Sequence, residues 1–187
     1  MTSIQNPVTS DHLMKHLEAM KIITAALTLL LGLAACGYHL KATGLKAPEG
    51  IRTIAVTVLE NRTGESGIEI TFTNDLTYEF TRSKVLHVVD ERKADAVLSG
   101  TITALRVQTI SYTANYESDE RRVRVTLSLS LKSRDGKVLW SDPALEGIEE
   151  FKVADDQYIT DRNRREAIET ISERIAERVH NRILQDF

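Results

Sequence analysis

From residue 122 to residue 132 the chain alternates without a break. Val123, Val125, Leu127, Leu129 and Leu131 fall on one side, and Arg122, Arg124, Thr126, Ser128, Ser130 and Lys132 on the other. Successive side chains of a strand point to opposite faces, so this segment is a strand with one apolar and one polar face. The apolar face must meet a core, and the polar face meets water or a partner. The rest of the chain has to supply a cover for one side only.

Two segments offer that cover. Ile68, Phe72, Leu76 and Phe80 recur every four residues and share one helical face. Ser66-Gly67-Ile68-Glu69 ahead of them has the spacing of a capping box, and Ser83-Lys84 closes the helix. Thr71, Thr73 and Thr77 are mediocre helix formers, so packing has to hold it. Thr160-Asp161 offers a cap for a second helix reaching about residue 185. Ile168, Ile171, Ile175, Val179 and Ile183 form a single stripe along it. Burying five such side chains gains on the order of 10 kcal/mol, which requires this helix to lie on the sheet.

Residues 51–59 alternate with Ile54, Val56 and Val58 on one face and predict a first strand, followed by a turn over 60–65. Residues 85–89 read as a short strand, 90–93 as a turn, and 96–110 as a long strand with Gly100 as a candidate bulge. Residues 111–120 read as the loop or frayed end of a hairpin. Asp135-Gly136 marks a tight turn returning through Val138-Leu139-Trp140. Residues 141–160 are acidic and read as irregular, with a short strand around Phe151. The expected fold is an α/β sandwich of the α+β class: a mixed β-sheet of about four or five strands with two amphipathic helices packed on one face.

The 24 basic and 27 acidic residues are interspersed and aromatics make up 5%, which argues against a nucleic-acid partner. No zinc, phosphate-loop or nucleophile-elbow pattern occurs. His39, His87 and His180 are scattered over three segments, and His180 near the end of the last helix is placed to favour the helix dipole. Asp119-Glu120 and Asp155-Asp156 are adjacent pairs in loops, which do not converge as an acid and a base must. The sequence therefore predicts no catalytic residue, no metal site and no cofactor.

The N-terminal part carries a different message. Met20-Lys21 precedes an apolar run over 22–33, which ends in Leu33-Ala34-Ala35-Cys36-Gly37. A charged start, a short apolar run and a small-residue exit read as a secretory signal, too short for comfortable membrane spanning. Placed directly after Leu-Ala-Ala, the chain's only cysteine makes the segment resemble the lipobox of bacterial lipoproteins. That resemblance implies a signal peptide over 1–35, cleavage before Cys36 and a covalent lipid on Cys36, which is then the sole prosthetic group. A buried apolar helix holding an inert cysteine is the alternative. Residues 1–19 are poor in cations, which makes Met20 a candidate translation start. Gly37 stands where aspartate would mark inner-membrane retention, so the expected site is the outer membrane, facing the periplasm. Residues 36–50 read as a lipidated tether and 51–187 as one α/β domain.

Arg122, Arg124 and Lys132 share the polar face of the alternating strand. They are the candidate anion-binding residues, because guanidinium groups bind phosphates and carboxylates. The competing reading is a solvated sheet face whose charges guard an edge.

Several motifs in order resemble the LPS-assembly lipoprotein family, LptE. They are Cys36-Gly37-Tyr38-His39-Leu40, Ile54-Ala55-Val56 followed by Asn61-Arg62-Thr63, and Gly67-Ile68-Glu69 leading to Glu79-Phe80. Ala94-Asp95-Ala96-Val97-Leu98-Ser99-Gly100 and Gly136-Lys137-Val138-Leu139-Trp140 continue the match. Thr57 stands where proline is expected, and Phe72 where leucine is commoner. The resemblance implies a non-enzymatic outer-membrane lipoprotein that partners a large LptD-like β-barrel and binds lipopolysaccharide through basic side chains. A lipoprotein that activates a peptidoglycan synthase is the alternative. A tether of about fourteen residues reaches at most roughly 50 Å, which favours a partner at the membrane.

Overall fold

The computed structural model describes residues 20–21, 47, 49–112 and 118–185, with backbone alone at 111–112 and 118–119. Contacts divide the chain into Met1–Ala42 and Thr43–Phe187. In the first unit Met20 and Lys21 are helical.

The elements of the second unit are β1 (Thr53–Val56), β2 (Glu60–Asn61), α1 (Ile68–Ser83), β3 (His87–Val88), a 3-10 turn (Glu91–Lys93), β4 (Ala96–Tyr112), β5 (Ser118–Ser133), β6 (Val138–Lys152) and α2 (Gln157–Gln185). One six-stranded sheet runs in the order β3-β1-β4-β5-β6, with β2 also beside β4. β1 is parallel to β3 and β4, and β2 is parallel to β4. A parallel neighbour needs a crossover, and α1 supplies it between β1 and β3. β4, β5 and β6 form an antiparallel meander. The expected mixed sheet under two helices is thus present.

The apolar side of β5 is the floor of the core, with Val123, Val125, Leu127, Leu129 and Leu131 all buried. Ile68, Phe72, Leu76 and Phe80 of α1 and Ile168, Ile171, Ile175, Val179 and Ile183 of α2 join them in one cluster, so both helices cover the same face. Arg164 of α2 grips Glu65 ahead of α1 with two bonds, at 2.8 and 3.2 Å. Three arginines one helical turn apart then fasten α2 along β6. Arg174 bonds the Glu149 carboxylate, Arg178 donates to the backbone carbonyl of Glu146 at 2.9 Å, and Arg182 bonds Asp142 at 2.6 Å.

Several local expectations are corrected. The first strand stops at Val56; Val58 is 63% exposed and Leu59 takes the inward position. Glu60 and Asn61, expected in a turn, pair with Thr101 and Ile102. The N-cap of α1 is Gly67, at a left-handed φ of 89°, with no side-chain cap. The Glu69 carboxylate instead accepts from the Asn61 amide at 2.8 Å, so Ser66 and Glu69 form no capping box. Gly100 lies in regular register opposite Leu129, and a Cβ there would come within 2.3 Å of the Ser128 carbonyl oxygen. Its role is close approach, and the nearest irregularity of the ladder falls between Ile102 and Ala104 instead. β4 runs on to Tyr112 and β5 starts at Ser118, which narrows the expected 111–120 loop.

The largest correction is β6. Residues 141–152, expected to be irregular, continue the strand, with Trp140, Leu145, Gly147 and Phe151 turned inward. One register shift, between the pairs Leu127–Leu145 and Leu129–Asp142, absorbs the extra residue around Pro143. α2 begins at Gln157, earlier than Thr160, because the Asp156 carboxylate accepts from the Tyr158 amide at 2.8 Å. Thr160 lies buried in the first turn and donates to the Ala154 carbonyl at 3.1 Å. His180 is not at a surface poised for the helix dipole. It is 4% exposed and packs edge-on against Phe80 at 5.3 Å.

Candidate functional site

The helices take one face of the sheet and leave the other open. Antiparallel register lays three rows across the open face of β4, β5 and β6: Gln108–Arg122–Glu150, Arg106–Arg124–Ile148 and Ala104–Thr126–Glu146. The first two rows hold the predicted arginines side by side, as alternation on one strand requires.

Neither predicted arginine is bare. Arg122 donates from Nε at 3.1 Å and Nη2 at 2.6 Å to the Glu150 carboxylate. Arg124 donates from Nη1 to Glu146 at 2.6 Å. All four side chains are between 37% and 51% exposed, and pairs of this kind contribute only about 0–1 kcal/mol each. They stabilise the sheet little, and the arginines remain reachable from solvent.

Sequence reasoning missed Arg106. It stands directly across the ladder from Arg124, is exposed, and has no ion pair or hydrogen bond through its side chain among the described residues. Read alone, residues 96–110 are merely a strand; only the β4–β5 register makes Arg106 a neighbour of Arg124. The corner therefore carries three guanidinium groups against two carboxylates.

Lys132 does not join them. Eight residues along β5 from Arg124, it is roughly 27 Å away and pairs with Val97 and Val138 near the β5–β6 turn. There it lines a cavity of about 830 Å³ with Arg92, Arg134, Thr57 and Ser99. Arg134 spends two donors on the Ala94 carbonyl, at 3.2 and 3.0 Å, and Arg92 lies 3.6 Å from Asp90. Cys36 lies outside the described residues. Among the described residues, no group of three or more His, Cys, Asp or Glu side chains is placed to hold a metal ion.

Two solved structures share the architecture. A lipoprotein B from Nitrosomonas europaea superposes with a TM-score of 0.56 at 13% identity, covering 79% of this chain and 90% of that one. A minor lipoprotein from Acinetobacter baumannii gives 0.54 at 14% identity, covering 73% and 93%. The fold is thus of a class found in small lipoproteins, a mixed sheet with two helices on one face. The chain itself belongs to the lipopolysaccharide-assembly family, LptE, whose family model matches residues 51–183. No curated protein sequence matches it.

Proposed function

We propose that this protein is an outer-membrane lipoprotein, acylated on Cys36 and facing the periplasm, that binds lipopolysaccharide and partners a large LptD-like β-barrel in lipopolysaccharide transport and outer-membrane assembly. It acts by contact and needs no cofactor beyond its covalent lipid. The family match over 51–183 carries this reading, since that family is one of non-enzymatic lipopolysaccharide-assembly lipoproteins. The leader ending in Leu33-Ala34-Ala35-Cys36 supports the anchor. No helix among the described residues is long and apolar enough to cross a membrane. The open sheet face, with Arg122 and Arg124 at one end and Lys132 at the other, is the surface offered to ligand and partner.

Extraction from native membranes in mild detergent, followed by affinity capture of this chain, tests the reading. The expected companion is a large β-barrel that carries lipopolysaccharide. Recovery of a penicillin-binding protein in its place would move the assignment to peptidoglycan synthesis.

A further inference from the structure

Like charges placed directly opposite each other on neighbouring strands destabilise a sheet. Arg106 and Arg124 are such a pair, with Cα atoms about 4.5–5.5 Å apart by ladder geometry. Among the described residues the single carboxylate bonded within this pair, that of Glu146, goes to Arg124, and no carboxylate is bonded to Arg106. On the other flank of Arg124 lies Ile148, whose side chain is 41% exposed in the same row. An unbalanced pair of guanidinium forks beside an exposed aliphatic side chain has the chemistry to recognise a phosphate carried on a hydrocarbon-bearing molecule.

We infer that Arg106 and Arg124 together form a phosphate clamp for an anionic amphiphile, with Glu146 as an internal counter-ion that the incoming phosphate displaces from Arg124. The inference rests on the lipopolysaccharide-binding reading above and sharpens it, because it names a residue outside the alternating strand and assigns a competing role to a glutamate. Arg122, already held through two donors by Glu150, is the secondary contact. Ile148 supplies the surface for the first carbons beyond the phosphate. The Glu146 backbone carbonyl is held separately by Arg178, so releasing its carboxylate does not free the strand.

The test is a titration of the full chain in detergent with lipid A bisphosphate, with its dephosphorylated counterpart and with inorganic pyrophosphate, at two salt concentrations. Arg106→Glu should weaken lipid A binding by about tenfold or more, with a smaller deficit at high salt, while Arg106→Lys keeps part of the affinity. Glu146→Gln should tighten binding by about threefold, because Arg124 no longer has to leave a partner. Pyrophosphate should show the same order of variants at weaker affinity, and the dephosphorylated lipid should not distinguish them. Circular dichroism confirms that each variant is folded, as exposed positions predict. Unchanged binding by folded Arg106→Glu, or weakened binding by Glu146→Gln, overturns the clamp alone, provided the parent binds lipid A. A parent that binds no lipid A overturns the lipopolysaccharide reading itself.

Discussion

At the scale of single residues, Asp95 shows how a solvent-accessible carboxylate can order a strand. Its Oδ2 accepts from the Thr53 hydroxyl at 2.8 Å and from the amides of Thr53 and Arg52 at 3.0 and 3.1 Å. The Asp95 amide returns a bond to the same hydroxyl at 2.9 Å. These bonds pin the start of β1. The Thr53 hydroxyl first, and then the two amides, hold the Asp95 carboxyl below its usual range. A carboxylate depressed by folding stabilises the fold fully above its unfolded value, near pH 4, and loses that contribution as pH falls through the lower folded value. Urea midpoints should therefore fall more steeply between pH 5 and pH 3 in the parent than in Asp95→Asn. Parallel falls would mean that the carboxylate charge does not hold β1.

At the scale of elements, α2 and β6 are matched through Gly147. A Cβ at that position would stand 2.3 Å from Cγ2 of Ile171 and 2.9 Å from Cδ1 of Ile175, so the helix can lie this close only because the strand has no side chain there. Gly147→Val should overpack the interface and cost about 1–3 kcal/mol, read as a lowered urea midpoint at unchanged slope. Ile171→Asp or Ile175→Asp should abolish folding, since each carboxylate would be buried without a partner. Glu173→Ala, on the exposed side of α2, should be nearly neutral; equal midpoints for all of these variants would mean the stripe is not buried. The same interface explains which parts were legible. β5, α1 and the apolar stripe of α2 could be read directly, because their periodicity repeats the geometry that buries them. β6 could not. Its acidic residues resemble a loop, but Glu146, Glu149 and Glu150 each meet an arginine from β5 or α2. Its alternation is also interrupted by Pro143 and by a glycine at an inward position. Arg122 and Arg124 were legible as neighbours, whereas Arg106 belongs to the corner only through a register that no single strand contains.

At the scale of the whole molecule, lipid attachment is one question and the border of the sheet is another. If Cys36 carries the lipid, Cys36→Ser should leave the leader uncleaved, which intact-mass measurement of protein from its native host would show; unmodified Cys36 in mature wild-type protein would remove the anchor. The row Arg174, Arg178 and Arg182 bears on the other question, how the protein avoids the wrong company. β6 ends the sheet, and a long terminal strand is a template on which another chain can grow. Arg178 occupies the Glu146 carbonyl, while its two neighbours draw the helix along the same border. Arg178→Ala should leave the monomer folded yet shorten the lag before thioflavin-positive assemblies form on mild heating, and an unchanged lag would count against this. A second chain that paired along this border would have to displace the Arg178 guanidinium from the Glu146 carbonyl first, so the helix stands guard over that stretch of the strand.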